Sequence, residues 1–229
     1  MSLPIRRKFQ PKGITILYDD ADILVIDKSA GLLTIGTDKE RFRTAYALMT
    51  DYVKKGTAKS KARLWIVHRL DQDTSGVLVL AKSESVKLQL QNNWDQVTKK
   101  YLAIAHGKFV SQSGEFRSYL TENQYFKVFS TNDTSLGKLA VTKFVVKEEH
   151  EGLSLLELEL VTGRKHQIRA HLAESGHPIY GDTRYGQPDP AAKRMALHAQ
   201  SITLIHPRTK ESMTFEAKTP GIFQHLMGR

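Results

Sequence analysis

The stretch His68–Lys82, HRLDQDTSGVLVLAK, sets a polar loop bearing a cation, a carboxylate and a glycine directly ahead of an apolar run, Val77 to Ala81. A short apolar run bounded in this way reads as a buried strand. Such a strand is a rigid base, and the loop before it can present Asp71 to a ligand with little freedom. Asp73 to Gly76 alone would suit an ordinary turn whose Asp, Thr and Ser cap their own backbone. Arg69 and Asp71 fit that reading less well, because two opposite charges flanking a buried-looking Leu70 exceed what a turn needs.

Outward from this loop the chain alternates strands with a few helices. Ile14 to Tyr18 and Ile23 to Asp27 read as a hairpin across Asp19–Asp22. Thr44 to Lys55 carries Ala45, Leu48, Met49 and Tyr52 at helical spacing. Ser83 is a candidate N-cap for a helix through about Trp94. Lys100 to His106 is a strand ending at Gly107, and Ala140–Lys147 with Leu153–Val161 forms a second hairpin across Glu148 to Gly152. His166 to Ser175 reads as a short helix closed by Gly176. Ser201–Ile205 and Ser212–Ala217 pair across the turn Pro207–Lys210. The pattern predicts an α+β fold of mainly antiparallel strands with a few helices, without repeats.

At 229 residues and 40% hydrophobic content, one good-sized domain is expected: a basic amino-terminal arm over 1–13, then a single domain over 14–229. The absence of cysteine excludes disulfides and thiolate metal sites and points to a cytoplasmic location. No apolar run reaches membrane-spanning length and the basic start lacks an apolar core, so neither membrane anchor nor signal peptide is expected. Lysine and arginine outnumber the acids 34 to 24, giving a net charge of +10. Acidic partners follow, nucleic acid first among them. The excess clusters at Arg6, Arg7, Lys8 and Lys12, in a loop from Lys54 to Arg63, and at Arg164, Lys165 and Arg169.

The third cluster belongs to a second constellation, Thr162–Leu172, where a glycine turn leads from a strand into a helix rich in donors. Amide groups at a helix start, with Arg164, Lys165 and Gln167, suit phosphate. His166 and Arg169 share one face of that helix while Ile168 and Leu172 share another. A solvated basic helix would read the same way.

His68–Lys82 and Gly163–His171 (GRKHQIRAH) together resemble the two signature segments of the RluA family of pseudouridine synthases. The resemblance extends to Ile16–Leu33 (ILYDDADILVIDKSAGLL), Lys99–Gly107 (KKYLAIAHG), Gly176–Asp182 (GHPIYGD) and Leu197–Pro207, in order over nearly the whole chain. It implies a mixed antiparallel α+β fold with a central active-site cleft, isomerisation of uridine in structured ribosomal or transfer RNA, no cofactor and no metal. It also implies a monomer, in a short form lacking the amino-terminal S4-type domain of larger relatives. By motif, Asp71 is the essential aspartate, Arg69 enters the RNA stack where the target uridine leaves it, Tyr101 lies against the base, and Arg169 is the basic partner of Asp71. Arg164, Lys165, His166 and Gln167 are then RNA-binding residues, with Leu160 packing at the cleft floor.

The residue types suit that chemistry. A carboxylate can add to the ring or engage the sugar while the base stays enclosed, and a guanidinium nearby favours its ionised form. Tyrosine offers a face for stacking and a hydroxyl for proton relay. Other classes fit less well. An aspartic protease needs two Asp-Thr/Ser-Gly turns, and one imperfect copy exists. A glycosidase could pair Asp71 with Asp73, yet only Trp65 and Trp94 could build a sugar platform. His166 and His171 are five apart, off the spacing that shares a helix face for a metal. The remaining competitor is a non-catalytic RNA-binding module that keeps the fold.

Overall fold

The Asp20 carboxylate accepts the amide hydrogens of Asp22 and Ile23, both at 2.8 Å, and this reverses the chain between β1 (Ile14–Asp19) and β2 (Ile23–Lys28). The computed structural model describes residues 10–37, 40–55, 57 and 59–229. The expected basic arm lies outside the described residues through residue 9, as do Gly56 and Ala58 of the expected basic loop. The chain divides into two compact units. One comprises Met1–Val97 with Ser201–Lys218, the other Thr98–Gln200 with Thr219–Arg229.

In the first unit β2 pairs antiparallel with β1 on one side and with β4 (Ser75–Ala81) on the other, while the two-residue β3 (Trp65–Ile66) also pairs with β4. Every residue of β4 is buried, as a strand covered on both faces requires. Helix α1 (Ala45–Val53) starts where the Thr44 hydroxyl accepts the Ala47 amide, and α2 (Glu84–Asn92) where Ser83 accepts that of Val86. Each such cap contributes about 1 kcal/mol. Val77, Val79, Val86, Leu90, Ile202 and Phe215 share one core, each contributing roughly 1.5–3 kcal/mol by its burial.

In the second unit the strand order is β5 (Thr98–His106), β9 (Leu153–Leu160), β8 (Lys138–His150), β6 (Ser113–Glu122), β7 (Val128–Thr131), and every pairing is antiparallel. Leu156, Leu158 and Leu160 point alternately inward from β9 into a core shared with Ile168 and Leu172 of α3 (Gln167–Glu174). Helix α3 ends at Gly176, φ 83°, whose amide donates to the Ala173 carbonyl while that of His177 donates to Leu172. This is the glycine-closed helix end that the sequence predicts. β10 (Leu197–Ile205) carries the chain back to the first unit, where Ser201–Ile205 pair with β11 (Ser212–Glu216). The closing helix α4 (Gly221–Leu226) sets Phe223 beside Ile104.

The α+β, mainly antiparallel reading of the sequence holds, with two differences. The expected five-residue turn of the β8–β9 hairpin contracts to Glu151–Gly152, with φ 46° and 77°. A bulge between Val146 and Glu148 lets β8 run on to His150 in pairing with β9, and two positive φ values suit a tight hairpin turn. The hairpin β6–β7 also lies where no element is expected. β6 is largely exposed and lacks the apolar alternation that marks a half-buried strand.

Candidate active site

Asp71 is pinned through its chain neighbours. Leu70 is buried, and its backbone is clamped by Thr34: the Thr34 hydroxyl donates to the Leu70 carbonyl at 2.7 Å and accepts the Leu70 amide at 3.2 Å. On the other side the Gln72 carbonyl accepts the Gly31 amide at 2.9 Å and the Lys28 ammonium at 3.1 Å, while the Gln72 amide group donates back to the Gly31 carbonyl. Lys28 is 0% exposed, and its ammonium donates to the carbonyls of Ser29, Leu32 and Gln72. A buried cation held by carbonyls is costly to build and therefore informative. Here it ties the end of β2 to the loop that carries Asp71.

The turn is closed by the Thr74 amide donating to the Asp71 carbonyl at 3.2 Å. Gly76 then takes φ 117°, a conformation side-chain-bearing residues avoid, as the chain enters β4. Asp71 is half-buried and Arg69 exposed. His68 accepts the Val79 amide at its Nε2, 3.0 Å away, and lies 4.7 Å from the Trp94 ring, a structural post for the loop. The loop thus offers a partly exposed carboxylate on a backbone fixed at residues 70 and 72.

The second unit organises Thr162–Arg169 around Gln167. This residue is 2% exposed; its amide group donates to the Val141 carbonyl and the Thr142 hydroxyl, and its oxygen accepts from the Thr162 hydroxyl and the Arg164 amide. Both of its donor hydrogens and both acceptor sites are used. Gln167 therefore holds the loop from inside the fold, which sets it apart from Arg164 and Lys165 on the exposed surface. His166 sits at φ 51° with Nδ1 3.0 Å from the Tyr185 hydroxyl.

Arg169 is 7% exposed and grips Asp182 with two hydrogen bonds, Nε to Oδ2 at 2.7 Å and Nη2 to Oδ1 at 2.8 Å. Burial pushes the Asp182 carboxyl up, but the bonds and charge of Arg169 and the amides of Arg184 and Tyr185 outweigh it and hold the pKa below the usual aspartate value. The guanidinium also lies 5.0 Å from the Tyr185 ring. Burial is the main cause that raises the Tyr185 pKa, so its hydroxyl stays protonated and available to His166. Tyr101 stands on β5 opposite Leu158 and packs against the core that holds Leu160.

Asp71 and Arg69 thus belong to the first unit, and Tyr101, Arg164, Lys165, His166, Gln167 and Arg169 to the second. Within the second unit His166 and Arg169 meet at Tyr185, and Arg169 has Asp182 as a carboxylate partner. Sequence reasoning did not single out Lys28, Thr34, Asp182 or Tyr185. Lys28 lies within the segment ILYDDADILVIDKSAGLL and Asp182 ends GHPIYGD, whereas Thr34 and Tyr185 fall outside the quoted motifs.

One further cluster, Asp20, Asp22 and His206, brings ligand-type atoms within 4.8 Å of one another. Its groups are committed elsewhere. Arg208 takes both Asp22 oxygens at 2.6 and 2.8 Å, and His206 lies 2.9 Å from the Asp20 oxygen that Tyr18 also reaches. The cluster is an ionic brace between the first hairpin and the turn after β10. No helix among the described residues is long and apolar enough to cross a membrane.

Residues 22–174 match the model of the RNA pseudouridylate synthase family. The chain is 37% identical over 217 residues to the uncharacterized RNA pseudouridine synthase YhcT of Bacillus subtilis, covering 93% of this chain and 71% of that protein. It is 36% identical over 218 residues to the ribosomal large subunit pseudouridine synthase C of Rickettsia bellii, covering 92% and 70%. The solved structure of human RNA pseudouridylate synthase domain containing 4 superposes with a TM-score of 0.77 at 26% identity, covering 93% of this chain and 91% of that one.

Proposed function

Since the chain belongs to the RNA pseudouridylate synthase family, and so to the RNA-modifying isomerases, we propose that it converts specific uridines in structured RNA to pseudouridine, with Asp71 as the essential carboxylate. The observation that carries this reading is the pinning of residues 70 and 72 by Thr34, Lys28 and Gly31, which leaves the intervening carboxylate preorganised and partly exposed. In the reaction the N1–C1′ bond of the nucleoside breaks, the uracil turns and C5 bonds to C1′. C5 gives up a proton and N1 takes one, so no co-substrate is consumed. Asp71 acts on the ring or the sugar as nucleophile or base. Tyr101 stacks against the detached uracil and relays the C5 proton.

A uridine within a folded RNA is reached by extrusion, at an unstacking cost of roughly a few kcal/mol. Arg69, exposed and adjacent to the fixed Leu70, enters the gap and offsets part of that cost. The net charge of +10 supplies the remainder through phosphate contacts, Arg164 and Lys165 among them. Large-subunit ribosomal RNA is the first substrate to test, because the Rickettsia bellii relative is named for it; transfer RNA is the second.

Single-nucleotide pseudouridine mapping of ribosomal and transfer RNA, in cells lacking the gene and in cells with it restored, tests the reading. A small set of uridines should lose and regain modification with the gene. An unchanged map across both RNA classes would refute it and favour a binding module that keeps the fold without turnover.

A further inference from the structure

The β6–β7 hairpin ends in a loop, Asn123–Lys127, that shows two aromatic side chains to solvent: Tyr125 is 73% and Phe126 67% exposed. Phe126 is also held at φ 59°, a conformation rare for bulky residues and open to glycine or asparagine at little cost. Hydrogen bonds nonetheless brace the loop. The Asn123 side-chain oxygen accepts the amides of Tyr125 and Lys127, both at 3.0 Å, and the Asn123 carbonyl accepts that of Phe126 at 2.9 Å. Neither burial nor backbone preference accounts for a phenylalanine there. A ligand does.

The surroundings identify its class. The Lys165 ammonium lies 5.2 Å from the Phe126 ring and also binds the Glu122 carboxylate. Lys165 lines a groove of about 400 Å³ with Arg164, Lys138 and the exposed Leu136, and Glu122 is the acidic residue of that lining. The volume is within the range of sites that hold a small-molecule ligand. Exposed aromatic side chains beside a groove with three cations and one acid match a single-stranded nucleic acid, whose bases stack while its phosphates follow the charge.

We propose that the hairpin tip is a stacking platform for unpaired bases of the RNA substrate, with Phe126 and Tyr125 receiving bases while Arg164, Lys165 and Lys138 take the adjoining phosphates. This rests on RNA being the substrate, as proposed above, and adds where an unpaired stretch is held outside the reacting site.

Fluorescence anisotropy with labelled single-stranded oligo(A) tests it on the full chain. Oligo(A) contains no uridine, so its binding is independent of turnover. Phe126→Gly should weaken binding roughly tenfold, the loss expected for one stacked base, and Phe126→Trp should retain it. The glycine variant should melt no lower than wild type, because it relieves the positive φ, and its salt slope should not change. Arg164→Glu with Lys165→Glu should instead flatten that slope. Affinity of Phe126→Gly within about twofold of wild type would overturn the platform even with turnover intact. Phe126-dependent oligo(A) binding by a chain that modifies no uridine would keep the platform and remove the functional reading.

Discussion

Replacing Asp182 by Asn removes one charge from the buried ion pair that it forms with Arg169. The Asp182 side chain is 0% and that of Arg169 8% exposed, so the pair is screened little by water. Breaking such a pair by removing one partner costs about 3–5 kcal/mol, because the other charge stays buried. The asparagine keeps an oxygen for the Arg184 and Tyr185 amides, at 3.0 and 3.1 Å, but turns its NH2 toward the guanidinium. The expected loss is therefore at the lower end, about 3 kcal/mol, a large part of a typical domain's 5–15 kcal/mol. Both tryptophans, Trp65 and Trp94, lie in the first unit. Urea unfolding is accordingly followed by far-ultraviolet circular dichroism. Asp182 titrates below its ordinary 3.8 in the fold. Its stabilisation is thus present above that pH and is lost as pH falls through the depressed value, so wild type and variant should converge below pH 3.8. A loss under about 1 kcal/mol at neutral pH, the size expected of an exposed pair, would refute this reasoning.

Thr34→Val removes both bonds to the Leu70 backbone. It should cost about 1–3 kcal/mol of stability and lower kcat roughly tenfold to a hundredfold through misplacement of Asp71, with RNA affinity retained; steady-state kinetics beside an RNA-binding titration checks this. His171 is buried between the Thr142 and Ser118 hydroxyls, and burial lowers its pKa from 6.5 although Glu174 opposes the shift. The unfolded chain takes up a proton first, so stability should decline as pH falls below 6.5 until the folded histidine also protonates. In His171→Gln that decline should be shallower, as urea transitions at neutral pH and about pH 5 would show.

The sequence made legible what local chemistry decides. The run Val77–Ala81 became the fully buried β4, Ser83 caps α2 by a side-chain bond and Gly176 closes α3, whereas Thr44, read as the first residue of a helix, is the cap of α1. The Asp71 loop was legible as a loop, but its anchoring was not. Lys28 and Thr34 reach it over separations of 44 and 36 residues, which no local pattern encodes. The same holds for the grip of Arg169 on Asp182. Gln167 looked like a surface donor because polarity alone does not reveal burial, and its four partners are supplied by tertiary packing. The β6–β7 hairpin was not legible because each of its strands buries a single residue, Leu120 and Val128, too few to make an apolar alternation.

The central claim, that the Asp71 carboxylate performs the isomerisation, is tested by assaying purified Asp71→Asn on an RNA containing a mapped uridine. Pseudouridine formed and RNA bound should be measured on the same preparation. Turnover should vanish while affinity stays close to that of wild type. Pseudouridine formation at the wild-type rate by the asparagine variant would contradict the claim.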